Sequence, residues 1–194
     1  MISARRGRPR SETAAAHATI LDAVHELLLA KSVRDLTMEE IAKHAKVGKP
    51  TLYKWWPSKA ALVLATFNER LAGKQDLTGA ATTEAAIRAR VRHTIREFNG
   101  LLGRVMADLI TEGQSEPDVL RELYDEHVKP RRARLAVEIE RAKASGEFCS
   151  DVDAELLIDE IFGAIYFRLL VRHAPLTEAF GEALVDQALR RTRA

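Results

Sequence analysis

Apolar residues recur in this chain every three or four positions, and no stretch alternates apolar with polar as a strand would. Ile20, Val24, Leu27 and Leu28 fall at i, i+4, i+7 and i+8. Ile87, Val91, Ile95, Phe98 and Leu102 form a second stripe, and Leu176, Phe180, Leu184 and Ala188 a third. That period lines one side of a helix and scatters across both faces of a strand. The chain is therefore expected to be all-α, with about nine helices.

Local chemistry sets the expected boundaries. Ser11 or Thr13 can cap a first helix that runs to Lys31. Thr37 followed by Glu40 is a capping box, opening a short second helix with Ile41, Ala42 and Ala45 on its inner side. After Lys46-Val47-Gly48 a third helix begins, where Pro50 lies in a first turn that needs no amide donor. It must stop before Pro57, and Ser58 caps a fourth helix to about Gly73. Beyond a polar joint at 75–83 comes the stripe ending at Leu102, then a short segment from Arg104 to Glu112 that stops at Gly113. Pro117 opens a long stretch that Pro130 should kink or split, and Gly146 ends it as a left-handed cap. Asp153 opens "AELLIDEIFGAIYFRLL", which is apolar around most of its circumference.

Composition narrows the function classes. Residues 1–60, with Lys49, Lys54, Lys59 and the arginines of "RRGRPR" among them, hold 11 basic against 6 acidic groups, while the remainder holds 19 against 22. A basic front end on a slightly acidic body is expected to meet a polyanion. No run of about 18 apolar residues occurs, and "MISARRGRPRS" lacks the apolar core of a signal peptide, so a cytoplasmic protein without a membrane span is expected. Cys149 is the sole cysteine, flanked by acids that disfavour its thiolate, and an inert thiol is expected. The histidines (His17, His25, His44, His93, His127 and His173) lack metal-ligand spacing. No HExxH, P-loop, GxGxxG or nucleophile-elbow motif occurs, so neither metal, cofactor nor enzymatic activity is expected.

Two short helices joined by three residues, the second with lysines turned outward, make a helix-turn-helix. Its second helix enters the DNA major groove. In "VGKPTLYKWWPSKAAL", Leu52 and Trp56 lie four apart and would pack on Ile41, Ala45 and the first helix. Lys49, Pro50, Thr51, Tyr53 and Lys54 are left outside. Thr51 can bond a base or touch a thymine methyl, and Lys49 can reach guanine acceptors. Tyr53 and Lys59 suit phosphate oxygens, Lys54 suits either role, and Trp55 can lay its indole against the sugar–phosphate backbone. Upstream, Arg8 and Arg10 belong to an arginine arm expected in the minor groove. The run "KPRRAR", Lys129 to Arg134, reads as a solvated helix face.

"LTMEEIAKHAKVGKPTLYKWWPSKAAL" resembles the DNA-binding region of the TetR/AcrR family of bacterial transcriptional regulators. Thr37, the helix Ile41 to Ala45, the turn, Thr51-Leu52-Tyr53, Trp55-Trp56 and Ser58-Lys59 carry the match. "RAKASGEFCSDVDAELLIDEIFGAIYFRLL" is similar to one branch of the family's ligand-binding domain. The family often has Gly where this chain has Lys46, and Ser where it has Gly48.

The resemblance implies a DNA-binding domain over residues 1–58 and an effector-binding and dimerisation domain over residues 59–194. It further implies a homodimer paired through the last two helices, binding double-stranded DNA at a palindrome and released by a small-molecule effector. The near-continuous apolar surface of "LLIDEIFGAIYFRLL", with Gly163 and Ala164 allowing close approach, favours that pairing from the residues alone. Phe98, Leu102, Met106, Leu109, Tyr124, Phe162 and Tyr166 are candidates to line the effector cavity, although each taken alone reads more readily as plain core. Arg168 is expected to pair with a carboxylate or reach solvent; His93 and Asn99 read as satisfied polar residues. Two alternatives remain: an effector-independent DNA-binding protein, and an all-α enzyme or adaptor.

Overall fold

The computed structural model describes residues 10–71 and 80–192, which contain helices and no strand. The chain divides into two compact units, Met1–Leu71 and Ala72–Ala194. The boundary thus lies after Leu71 rather than after Ser58, because the fourth helix is part of the first unit's core.

In that first unit, α1 spans Arg10–Ala30, α2 Met38–His44, α3 Lys49–Trp55 and α4 Lys59–Thr66, the last continuing through a π-helical turn, Phe67–Leu71. Since α1 already includes Arg10, Ser11 and Thr13 lie inside its first turn rather than ahead of it, and the alanines 14–16 favour helix this close to the end. Ile20, Leu21, Val24 and Leu28 of α1 are buried with Leu62, Val63, Leu64 and Phe67 of the fourth helix. Arg70 Nε donates to Asp22 Oδ1 at 2.9 Å and ties the same two elements together. Ser58 caps α4 as expected, its Oγ accepting from Ala61 N at 2.9 Å.

In the second unit, α5 spans Thr83–Phe98, α6 Leu101–Ser115, α7 Pro117–Leu123, α8 Lys129–Ser145, α9 Ala154–Val171 and α10 Glu178–Leu189. A π-helical turn, Tyr124–Val128, joins α7 to α8 without a break, so the described residues hold nine continuous helices. The interruption expected at Pro130 therefore appears one turn earlier. Pro130 has no amide to give the preceding turn, and widening the helix there accommodates the missing bond.

Two further expectations are corrected. Leu102 belongs to α6, since α5 ends at Phe98 with Asn99 as its C-cap and Gly100 is the N-cap of the next helix. Gly113 does not stop α6. It is buried within the helix, where a Cβ would lie 2.4 Å from Leu120 Cγ; it is a packing glycine. The αL glycine expected at Gly146 is present, with φ 77°.

Gly103 allows the closest approach in this unit. A Cβ there would stand 2.0 Å from the Phe98 carbonyl oxygen and 2.6 Å from its carbon. Backbone cannot yield as a side-chain tip can, so Gly103→Ala is expected to cost about 3 kcal/mol or more, read as a lower urea midpoint. Elsewhere α5 and α10 are held by Arg88, which bonds Glu84, Glu182 at 2.8 Å and Asp186 at 2.5 Å.

His127, in the π turn, is 4% exposed. Desolvation, and then the like charge of Arg131, push its pKa from 6.5 down to about 3. Between those values the unfolded chain binds a proton that the folded chain refuses. Stability should therefore fall by about 1–2 kcal/mol from pH 7 to pH 5. His127→Gln should flatten that part of a denaturation-versus-pH curve.

Candidate nucleic-acid interface

The turn between α2 and α3 explains how the recognition surface is aimed. Thr37 caps α2, its Oγ1 accepting from Glu40 N at 3.2 Å. The reciprocal half of the capping box is diverted, since the Glu40 carboxylate pairs with Lys31. At the other end Lys46 N donates to Lys43 O at 3.2 Å and Val47 N to Ala42 O at 2.9 Å. This is a Schellman closure, and it requires a left-handed residue at Lys46, which has φ 55°. A lysine occupies that conformation at a cost of about 1 kcal/mol relative to glycine.

Gly48 then caps α3 without a side-chain bond, and Pro50 lies in its first turn. Leu52 is fully buried and Trp56 is 6% exposed, together with Ile41 and Ala45 of the neighbouring helix. Their burial fixes which face remains. Lys49, Pro50, Tyr53 and Lys54 are exposed and Thr51 is half-buried beside them. Lys49 Nζ lies 2.5 Å from Glu39 Oε1, and that bond raises the lysine's pKa and lowers the glutamate's. The pair is solvent-exposed, so screening leaves it weak and a phosphate can compete for Lys49.

Trp55 stands beside the buried Trp56 at the end of α3. Its ring is half-buried in an aromatic cluster, 5.5 Å from His17 and edge-on to Trp56 at 5.5 Å. His17 also lies 4.8 Å from Trp56. This histidine of α1 was not singled out for the site, because nothing in local spacing connects residue 17 to residue 55. Lys59 begins α4, half-buried, beside the capping Ser58. Arg8 lies outside the described residues. Arg10 is the first residue of α1.

The candidate effector residues separate into three groups. Phe98, Leu102, Met106 and Leu109 are buried core, while Phe162 and Tyr166 are half-buried on α9. Tyr166 packs edge-on against Phe98 at 5.3 Å. Tyr124 is 49% exposed at the head of the π turn and stands apart from the others, since the widened turn carries it to the surface. A groove of about 490 Å³ is lined by Phe98, Asn99, Gly103, Arg104, Arg168 and Arg172, with Leu176 at its edge. Arg168 is half-buried at the end of α9. Its guanidinium donates to Pro175 O at 2.8 Å and lies over the Phe180 ring. Asn99 donates to Leu176 O at 2.8 Å and His93 pairs with Glu97 at 3.0 Å, so both are satisfied.

The run Lys129 to Arg134 is not the solvated face expected of it. Arg132 bridges to Glu155 and Asp159 of α9, and Arg131 turns inward with its Nη1 on His127 O at 3.0 Å. Lys129 and Arg134 remain exposed. Helical packing divides the run because four consecutive positions circle the whole helix.

Comparison with known proteins agrees with this arrangement. Residues 20–66 match the model of the tetR family of bacterial regulatory proteins, and residues 78–188 match a tetracyclin repressor-like C-terminal domain. An uncharacterised HTH-type transcriptional regulator of Bacillus subtilis, YdeS, is 31% identical over all of this chain and 96% of its own. The DNA-binding transcriptional repressor TetR of Mycobacteroides abscessus is 28% identical over 95% of this chain and 94% of its own. The crystal structure of the TetR family regulator SCO0332 superposes with a TM-score of 0.72 at 35% identity, covering 90% of this chain and 96% of that one. With both of its units matched in order, the chain belongs to the TetR family and is a helix-turn-helix transcriptional regulator.

Proposed function

We propose that the protein is a cytoplasmic homodimeric repressor that grips a palindromic operator with α3 of each subunit and leaves it when a small molecule binds the second unit. The outward face of α3 is the observation that carries this reading: Lys49, Thr51, Tyr53 and Lys54 stand on one exposed side while Leu52 and Trp56 anchor the other. Thr51 reads a base, Lys49 and Lys54 reach base edges or phosphate, and Tyr53, Lys59 and the Thr37 hydroxyl hold phosphate. Pro50 and Trp55 shape the surface between them. The minor-groove role of Arg8 and Arg10 belongs to the same reading.

Dimerisation is supported by the outer side of α9. Leu156, Phe167, Leu170 and Val171 are 66, 57, 42 and 55% exposed, although the helix already buries Leu157, Ile158, Ile161, Ile165 and Leu169 on its inner side. Gly163 lies in the same exposed stripe with open space beyond it. A second α9, with α10, would cover those residues. The effector is received among Phe98, Leu102, Met106, Leu109, Phe162 and Tyr166, and its binding alters the separation of the two recognition helices. No helix among the described residues is long and apolar enough to cross a membrane.

Fluorescence anisotropy on operator DNA tests the assignment of roles. Tyr53→Ala and Lys59→Ala are each expected to weaken binding by about 1 kcal/mol on every sequence. Thr51→Ala should change preference at a single base pair by about 1–3 kcal/mol. The log of affinity should fall against log salt with about −0.9 for each phosphate neutralised. An unaltered specificity profile for Thr51→Ala would remove its base-reading role, and a flat salt response would exclude an electrostatic grip.

A further inference from the structure

Glu39 stands on a surface otherwise rich in lysine. Residues 37–59 hold five lysines and two acids, Glu39 and Glu40. Glu40 bonds Lys31, whereas Glu39 reaches across to the recognition helix. It is the second residue of α2, its side chain 76% exposed, and its Oε1 lies 2.5 Å from Nζ of Lys49, the first residue of α3. The first residues of a recognition helix are the ones that reach base edges. The contact therefore brings a carboxylate and an ammonium together to the part of the surface that meets those edges. Their bond raises the lysine's pKa and lowers the glutamate's, so both are charged at neutral pH.

A carboxylate at that place narrows what the surface can meet. It accepts hydrogen bonds and cannot donate them, and phosphate oxygens repel it. In the major groove the donors are the amino groups of cytosine and adenine. At any other edge Glu39 faces acceptors and loses water without finding a donor, which is a penalty against the wrong sequence. Lys49 beside it needs acceptors, and guanine presents two, O6 and N7.

We propose that Glu39 and Lys49 together read one C·G base pair in each half-site, Glu39 accepting from the cytosine amino group and Lys49 donating to guanine O6 and N7. This rests on the operator-binding reading above and adds a specificity residue, Glu39, to it. Cytosine N4 and guanine O6 are hydrogen-bonded to each other and so stand about 2.9 Å apart. That spacing is close to the 2.5 Å between the two side chains. Laid alongside, the carboxylate meets the amino group and the ammonium meets the carbonyl without parting the pair. An A·T pair fits less well. Adenine N7 stands next to its amino group and repels the carboxylate, and the thymine methyl stands next to the O4 that Lys49 would take.

The test is selection from random duplex DNA by the parent protein, Glu39→Ala, Glu39→Gln and Lys49→Met, with circular dichroism checking that each is folded. The parent is expected to enrich C·G at one position of each half-site, apart from the pair that Thr51 reads. Glu39→Ala should lose that preference, a drop in discrimination of about five- to a hundredfold, with the other positions kept. Glu39→Gln should move it to A·T, since an amide matches adenine N6 and N7. Lys49→Met should weaken the preference at the same pair. Replacing that guanine by 7-deazaguanine, which lacks the N7 acceptor, should weaken binding by the parent and not by Lys49→Met. Glu39→Ala also frees Lys49 for phosphate, so its binding to non-specific DNA should strengthen. A carboxylate that only stabilised the fold would shift no single position. An unchanged profile for Glu39→Ala would overturn the proposal; so would a loss spread over all positions, or Glu39 and Lys49 variants that alter different base pairs. A parent that enriches no sequence removes the operator reading itself, whereas a palindrome indifferent to Glu39 removes this assignment alone.

Discussion

Phe167→Glu is expected to yield a folded monomer that binds operator DNA at least about 100-fold more weakly than the parent protein. Phe167 is 57% exposed on the outer stripe of α9, with Leu156, Gly163 and Leu170 along the same line. An apolar stripe of that length is uncommon on a protein that works alone. The inner side of the same helix, with Ile161 and Ile165 fully buried, does not involve Phe167, so the subunit's own core should survive. A carboxylate placed in a self-complementary contact meets its own copy across the twofold axis and must also be desolvated. Each separated subunit then binds one half-site without the effective concentration its partner provided. Analytical ultracentrifugation at micromolar concentration should show the parent as a dimer and the variant as a monomer. A parent that sediments as a monomer, or a variant that remains dimeric, would remove α9 as the interface.

Trp56→Ala should have a comparably large effect by a different route. Trp56 is 6% exposed, and its ring packs edge-on to Trp55 and 4.8 Å from His17. It is also the residue that ends α3, its amide bonded to Leu52 O at 2.9 Å. Truncating a buried aromatic costs about 3–5 kcal/mol, a large share of the stability of a unit this small. Circular dichroism should show part of the helical signal melting early, and operator binding should be lost. Trp55→Ala removes a half-buried ring and should cost about 1 kcal/mol while leaving a folded unit. Equal losses for the two tryptophans would contradict the division into a buried anchor and a partly exposed neighbour.

Where a residue's role depends on its immediate neighbours, the sequence was a reliable guide. Thr37, Ser58 and Asp153 each cap the helix expected of them, and Gly146 takes the left-handed end it was assigned. These are decided by a side-chain oxygen or a missing Cβ within one turn. The errors lie where a distant element decides. Gly113 read as a stop because the contact with Leu120, which makes it a packing residue, belongs to the next helix. Residues 59–71 were assigned to the second domain because their burial against α1 depends on residues some forty positions away. "KPRRAR" reads as one solvated face, although the helix sends Arg131 inward. In the recognition helix itself, the buried pair Leu52 and Trp56 was legible at i and i+4, and the outward set followed by exclusion. The effector residues were less so. Helical spacing identifies apolar side chains facing the core but does not tell a packed core from a cavity wall.

Selection of bound fragments from random duplex DNA, by purified ligand-free protein near physiological salt, tests the central claim most directly. The account predicts enrichment of a palindrome whose half-sites lie about one helical turn, ~34 Å, apart or a multiple of it, one for each α3 of a dimer. Recovery of no sequence above background, or of a single unrepeated element, would contradict a dimeric regulator that reads its operator with Thr51 and its neighbours.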